Sequence, residues 1–155
     1  MRVAGIAVEM PTPKRPTTRI VVVEDAAGAT SVTAFETFPS RSVPVATQLH
    51  EAAEAVRSRL TGLAIDRVVV RRADRPPKAS NMDGPRLRLL TEGAVTSAAR
   101  SVVVETRIGT GKETGAWFGS SKQNLDQAAR GFLGSADVDL RFSEAAGAAL
   151  AGLSM

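Results

Sequence analysis

The sequence contains no cysteine and only one histidine, His50. The absence of cysteine excludes disulfides, zinc sites built on thiolates and a cysteine nucleophile. A single histidine leaves no histidine cluster for a metal. No nucleophile elbow accompanies it, so we do not expect a Ser-His-Asp triad. The common cysteine- and histidine-based chemistries are therefore absent.

Long apolar runs are also missing. None approaches the roughly 18 to 20 residues that a membrane-spanning helix needs. The first residues lack the basic, apolar and small-residue order of a signal peptide. We therefore expect no membrane segment, and the cysteine-free composition fits a cytoplasmic location. The length of 155 residues indicates a single domain, 1–155, with a full-sized core.

Acidic residues are fewer than basic ones, 16 against 20, and the net charge is +4. A basic surface attracts polyanions such as nucleic acids. Sixteen of the twenty basic residues are arginine, and Ala, Gly and Val are abundant. A GC-rich genome gives that composition without any selection for nucleic-acid binding, so charge alone leaves both explanations open.

Five short runs predict β-strands. Three carry a valine triplet with charges at the ends, which is typical of strands covered on both faces. The predicted strands are 2–10, 19–25, 31–38, 67–74 and 101–108. The three prolines in 11–17 predict an extended loop there, and 74–85 is the other long predicted loop.

Four segments have helical signals. Apolar residues from Val45 to Leu60 recur on one helical face, with Ser42 as a candidate N-cap and Gly62 as the end. The other predicted helices cover about 85–100, with Asp83 as a candidate cap, about 121–133, and Ser143 to the end.

The resulting element order is β-β-β-α-β-α-β-α-α. Three strands without intervening helices predict antiparallel hairpins, and strands reached through helices predict right-handed parallel crossovers. We therefore predict an α/β fold with a mixed five-stranded sheet, strand order 3-2-1-4-5, and helices on both faces.

This order and three local stretches resemble the RNase H-like fold, specifically the RuvC-type Holliday-junction resolvases. In that family the first strand carries G-I-D, whose Asp is a metal ligand, and the fourth strand carries a Glu after an apolar run. The last helix carries D-A-A-D-A-L-A, with two acidic ligands one turn apart. The matching stretches here are Gly5-Ile6-Ala7, Val68-Val69-Val70 followed by Arg71-Arg72, and Glu144-Ala145-Ala146-Gly147.

Of the four carboxylates that the resemblance implies, only Glu144 is present. Cleavage by two metal ions needs several carboxylates around divalent cations, and the alanine, arginine and glycine here supply none. We therefore expect a pseudo-nuclease without a Mg²⁺ or Mn²⁺ cofactor, acting as a nucleic-acid-binding or partner-binding module. The resemblance also implies a homodimer.

A relocated metal site is the main alternative. Glu9 lies two residues beyond Ala7 and on the same face of an extended strand. Glu9, Asp74 and Glu144 can converge at the carboxyl ends of the parallel strands, where such folds bind ligands. The chain would then be a divergent metal-dependent nuclease. In the simpler interpretation Glu9 ends a strand in water, Asp74 pairs with an arginine and Glu144 favours a helix dipole.

Basic residues cluster between positions 67 and 88. Arginines at the end of the central strand can hold phosphates bidentately, although a solvated, locally paired basic surface would look the same. The candidate nucleic-acid-binding residues are Arg71, Arg72, Arg75, Lys78, Arg86 and Arg88. If these residues bind nothing, a structural scaffold without nucleic-acid contact is the remaining function.

Trp117 is a further candidate, in the glycine-rich stretch GAWFGSS. Its ring and that of Phe118 can stack on an unpaired base, or they can close the loop onto the core or onto a second subunit. The preceding GTGKET, 109–114, has some likeness to a phosphate loop but lacks its first glycine. We expect a flexible strand-to-helix loop there.

Overall fold

A computed structural model describes residues 1–12, 15–26, 29–41, 43–74 and 83–155. The strands are β1 (Arg2–Thr12), β2 (Arg15–Ala26), β3 (Ala29–Thr37), β4 (Arg67–Arg71) and β5 (Thr106–Gly109). The helices are α1 (Val45–Thr61), α2 (Asp83–Val102), α3 (Gly111–Trp117), α4 (Lys122–Ser135) and α5 (Ser143–Ser154), with a 3₁₀ turn (Leu140–Phe142) before α5.

The strands form one mixed sheet in the order β3-β2-β1-β4-β5. β1, β2 and β3 pair antiparallel through short hairpins, whereas β4 runs parallel to both β1 and β5. The helical connections before β4 and β5 allow these parallel pairings. The predicted sheet and strand order are confirmed.

Each face of the sheet is covered by helices. Alternate residues of β1 point to opposite faces. Ile6 and Val8 pack with α1 and α2, and Ala7 packs with α4 and α5. In β4, Val68, Val69 and Val70 are all buried, as expected of a strand covered on both sides. This arrangement sets which residues of β1 and β4 face α5.

Helix α5 lies unusually close to β1. It consists mostly of alanine and glycine. A Cβ added at Gly5 would overlap the Ala145 carbonyl oxygen and the Ala149 nitrogen. Small residues on both elements let the helix backbone rest on the strand, which brings the first half of α5 to Gly5 in the middle of β1 and to Arg71 at the end of β4.

The third valine triplet is not a strand, contrary to the prediction. Val102 ends α2, and Val103 follows with its N–H bonded to the Ala99 carbonyl and its side chain in the core. β5 begins only at Thr106 and has four residues. Val103 continues the buried face of the helix, whereas Val104 is 76% exposed. The contact of Val103 is tertiary, and β-propensity does not report it.

The proline-rich segment is also different from the prediction. Pro11 lies in β1 and Pro16 in β2, so the two strands approach each other through most of it. The pairing register shifts between Glu9 and Thr12, and such irregularities are where strands accept proline. Residues 13 and 14 lie outside the described residues.

The stretch 109–114 contains the start of a helix rather than a loop. The Thr110 side chain accepts from the Glu113 N–H, and the Glu113 carboxylate accepts from the Thr110 N–H, which makes a capping box. The first helix is confirmed from Val45, but Pro44 is its N-cap without a side-chain bond, and Ser42 lies outside the described residues. Residues 75–82, including Arg75 and Lys78, also lie outside them, as does the side chain of Asp83.

Candidate functional site

A row of four residues crosses the sheet at the middle of β1 and the carboxyl end of β4. Ala7 of β1 is paired with Arg19 of β2 on one side and with Arg71 of β4 on the other, and Arg71 is paired with Gly109 of β5. Directly opposite residues point to the same face of a sheet. The methyl group of Ala7 is therefore flanked by two arginines, and both are buried.

The Arg71 side chain lies under the helices and is almost fully buried. It is 4% exposed, and its Nη1 donates to Asp126 Oδ1 of α4 at 2.6 Å. A Cβ at Gly147 of α5 would be 3.3 Å from Nη1, and one at Gly111 of α3 would be 2.9 Å from Nη2. The guanidinium therefore fills the space between β4 and three helices.

Asp74 lies beside this guanidinium. Its carboxylate accepts from the Gly111 N–H at 2.6 Å and forms an ion pair with Lys122. Burial by itself raises the pKa of Asp74. The hydrogen bonds from Lys122 and Gly111, and the charges of Lys122 and Arg71, outweigh burial and lower that pKa below its ordinary value. Asp74 is therefore an ionised partner of basic groups.

Glu144 belongs to a second group of ion-paired residues. This group includes Glu92, a residue that the sequence analysis did not single out. Arg88 donates to Glu92 Oε1 at 2.9 Å and to Glu144 Oε2 at 3.2 Å, and the Ala73 N–H also donates to Glu92 at 2.9 Å. The Glu92 side chain is 1% exposed. The sequence feature that could have indicated Glu92 is its position on the buried face of α2, one residue after Thr91.

Burial raises the pKa of Glu92. The hydrogen bonds from Arg88 and Ala73 oppose the shift, and the nearby charge of Glu144 adds to it. Among the described residues, no group bonds Glu92 Oε2. One guanidinium therefore bonds one oxygen of each of the two carboxylates.

Glu9 is held elsewhere in the site. It forms an ion pair with Arg19, which also bonds Glu36 at 2.9 Å and donates to the Arg141 carbonyl at 2.9 Å. Glu9, Asp74 and Glu144 thus each have a different basic partner. The described ranges contain no group of three or more His, Asp or Glu residues that can hold a metal. The three carboxylates of the alternative interpretation are not brought together.

The basic residues of 67–88 divide into inward and outward groups. Arg71 is buried and Arg88 is held by Glu92 and Glu144, so neither presents a free guanidinium as the sequence suggested. Arg72 is 42% exposed and 3.8 Å from Glu113, and Arg86 is exposed on α2. Two lysines that sequence reasoning did not single out are exposed nearby, Lys112 of α3 and Lys122 of α4.

Trp117 is half-buried at the end of α3. A Cβ at Gly109 would be 2.6 Å from its ring atom Cη2. The indole therefore lies against the end of β5, which corresponds to the packing interpretation of this residue.

Two solved structures share this architecture. The structure of RuvC from Thermus thermophilus has a TM-score of 0.69 and 19% sequence identity, and the match covers 99% of this chain and 94% of that one. T. thermophilus RuvC in complex with a Holliday junction substrate gives a TM-score of 0.68 at 19% identity, covering 99% and 93%. No protein-family model matches the sequence, and no curated protein matches it. The fold is therefore RNase H-like, of the RuvC type. Within the described residues, no helix is long and apolar enough to cross a bilayer.

Proposed function

We propose that this chain is a catalytically inactive RuvC-like domain, a pseudo-nuclease of one domain that acts in the cytoplasm by binding nucleic acid or a partner. The buried guanidinium of Arg71 is the observation that carries the proposal. It lies beside Ala7 and Gly147. The resemblance to RuvC-type resolvases places acidic metal ligands at both of those positions.

Electrostatics opposes a metal ion at this place. At about 4 Å, a divalent cation and a guanidinium repel each other by about 8 kcal/mol if the effective dielectric constant is about 20. Mg²⁺ also requires oxygen ligands in near-octahedral geometry, and Ala7, Arg71 and Gly147 offer none. The residues present do not fit a pair of divalent ions, so no cleavage step is assigned to them.

The exposed cations support nucleic-acid binding. Arg72, Lys112 and Lys122 lie around Asp74 and Glu113 where the parallel strands end, and folds of this kind bind ligands there. One of the similar solved structures is a complex with a Holliday junction substrate. We infer that these residues and Arg86 contact phosphates, and that two copies of the chain pair.

Salt titration of DNA binding tests this part of the proposal. Labelled single-stranded, duplex and branched DNA are titrated with the protein at two salt concentrations. Removing one arginine that binds a phosphate reduces the slope of log K against log salt by about 1. The double variant Arg72→Ala, Arg86→Ala should therefore lower the slope by about 2.

Arg100→Ala is the matched control, because Arg100 is exposed near the other end of α2, about 21 Å from Arg86 along the helix axis. It should leave the slope nearly unchanged. Equal effects of the two variants would reject the proposed contact site. If the wild-type chain bound none of the three DNAs at low salt, the proposed nucleic-acid binding would be rejected, and a structural scaffold would be the remaining function.

A nuclease assay tests the inactivity. The wild-type chain with Mg²⁺ or Mn²⁺ should cleave none of the three DNA substrates, and Glu144→Ala should behave identically. Metal-dependent cleavage that Glu144→Ala abolishes would instead establish the divergent-nuclease alternative.

A further inference from the structure

The carboxylate of Asp74 lies where donors from three elements meet. Its Oδ1 accepts from the Gly111 N–H of α3 at 2.6 Å, and its Oδ2 forms an ion pair with Lys122 of α4. The charge of Arg71, at the end of β4, also favours the ionised carboxylate. Two cations and one backbone N–H therefore converge on a single anionic group.

Arg71 has donors to spare at this place. A guanidinium carries five N–H groups, and of the residues that the structure describes only Asp126 accepts a hydrogen bond from it, through Nη1. The side chain is 4% exposed, so few of the other N–H groups can reach water. A Cβ added at Gly111 would be 2.9 Å from Nη2 and 2.9 Å from Asp74 Oδ1, so these two atoms border the same small space. The buried cation is therefore short of acceptors on the side where Asp74 lies.

This set of donors suits a phosphate group. Arginine, lysine and backbone N–H groups are among the groups through which proteins bond the phosphates of nucleic acids. A carboxylate is planar, whereas a phosphate group is tetrahedral and can direct its oxygens to donors that approach from different directions. The donors here come from β4, α3 and α4, so a phosphate can satisfy them at least as well as Asp74 does.

The place is open to solvent on one side. The side chains of Asp74 and Lys122 are 44% and 43% exposed, and the neighbouring Lys112 is exposed as well. An ion pair this exposed adds little to stability, so another anion can replace the carboxylate at small cost. In the free chain, Asp74 therefore neutralises a cation that the proposed function needs.

We propose that Asp74 fills a phosphate-binding site, and that a phosphate group of a bound nucleic acid displaces it. The phosphate would accept from Lys122 and from the Gly111 N–H, and it would lie beside the guanidinium of Arg71. This inference rests on the proposed function, and it names the group of the chain that competes with the nucleic acid for its site.

Inorganic phosphate tests the site without DNA. Asp74→Ala removes the carboxylate and leaves the donors without their acceptor. Millimolar phosphate, compared with sodium chloride at the same ionic strength, should raise the unfolding midpoint of Asp74→Ala by about 2 °C or more. It should leave the wild-type midpoint nearly unchanged, because Asp74 already occupies the site.

Asp74→Asn is the matched control. It removes the same charge, but its amide still fills the place and its oxygen can accept from the Gly111 N–H. Phosphate should therefore stabilise Asp74→Asn less than Asp74→Ala. Adding Lys122→Met to Asp74→Ala should abolish the effect of phosphate. Asp74→Ser is a second small variant, since its hydroxyl can accept from Gly111 and leaves the rest of the place open.

Duplex DNA tests the displacement. Asp74→Ala should bind DNA about tenfold more tightly than the wild type, a gain equivalent to one charge-assisted hydrogen bond. Asp74→Asn should show a smaller gain, and inorganic phosphate should compete with the DNA for Asp74→Ala. Equal gains in the two variants would mean that only the net charge matters, and would reject the displacement.

The phosphate and DNA measurements separate the two proposals. DNA binding by the wild type, without any effect of phosphate on Asp74→Ala, would reject this inference and leave the proposed function intact. Phosphate binding by Asp74→Ala, without DNA binding by any variant, would keep a site for free phosphate and reject nucleic-acid binding. If circular dichroism showed that neither Asp74→Ala nor Asp74→Ser folds, Asp74 would be an indispensable structural partner and its displacement would be excluded.

Discussion

At the residue scale, Arg71 links several elements around the row of Arg19, Ala7 and Gly109. A metal centre holds elements together by attracting carboxylates to a cation. Arg71 does this with a guanidinium, which bonds Asp126 and lies beside Asp74. A buried charge of this kind is destabilising unless it is paired, so Arg71 and its acidic neighbours depend on one another.

Removing that guanidinium should destabilise the fold. Arg71→Met leaves Asp126 without its partner, and we expect a loss of about 2 kcal/mol or more in the free energy of unfolding. Arg72→Met removes an exposed arginine, and the expected change is within about 0.5 kcal/mol. Urea denaturation measures both. Equal losses would contradict the structural role of Arg71.

The buried carboxyl group of Glu92 should make the stability of the fold depend on pH. Burial raises its pKa in the folded protein above the unfolded value. The folded state then binds more protons between the two values, so this contribution to stability is present at low pH and lost as the pH rises through the folded pKa. The Glu92→Gln variant has no carboxyl group at this position and therefore does not titrate there. Its stability relative to the wild type should rise from pH 4 to pH 7.

Denaturation at several pH values, with Glu51→Gln as the control, measures the effect of Glu92. Glu51 accepts hydrogen bonds from Ser40 at the surface. A relative stability of Glu92→Gln that falls with rising pH would show that the carboxylate of Glu92 is favoured in its charged form.

At the scale of elements, the contact between β1 and α5 depends on the lack of a side chain at one position. A Cβ at Gly5 meets backbone atoms of α5, and backbone cannot move aside as a flexible side chain can. Gly5→Ala should therefore lower the free energy of unfolding by about 3 kcal/mol or more.

Gly93→Ala is the matched substitution, because no atom lies within 4 Å of the added Cβ in α2. It should stabilise the protein by about 0.5 to 1 kcal/mol through helix propensity. Thermal denaturation compares the two. If the two variants had similar stability, the close packing of α5 on β1 would be refuted.

Element boundaries show where sequence patterns were sufficient. The periodicity from Val45 to Leu60 and the segments beginning at about 121 and at Ser143 predicted α1, α4 and α5 closely, because the spacing of side chains along a helix is a local property. The triplet at 102–104 was assigned to a strand because valine favours strands. Val102 and Val103 instead pack on the core at the end of α2. This contact depends on residues distant in the chain and is not in the local sequence.

At the scale of the whole molecule, the stability of the fold should be independent of divalent metal. A ligand that binds only the folded state, at a free concentration of about 100 times its Kd, adds about 2.7 kcal/mol to the free energy of unfolding. If the chain has no metal site, as proposed above, the unfolding midpoint should be the same in millimolar Mg²⁺, in Mn²⁺ and in EDTA at matched ionic strength. A higher midpoint in Mn²⁺ that Glu144→Ala removes would indicate a relocated metal site.

The sequence by itself determined the order along the chain of the five strands and of α1, α2, α4 and α5, and the strand order of the sheet, but it did not reveal α3. These follow from hydropathy, turn residues and connection lengths, which act over short stretches of chain. The tertiary structure alone decided that Arg71 turns inward to Asp126, that Glu92 joins Arg88 and Glu144, and that Glu9 pairs with Arg19. The reason is physical: whether a charge faces water or a partner depends on residues that are distant in sequence and meet only when the helices pack on the sheet.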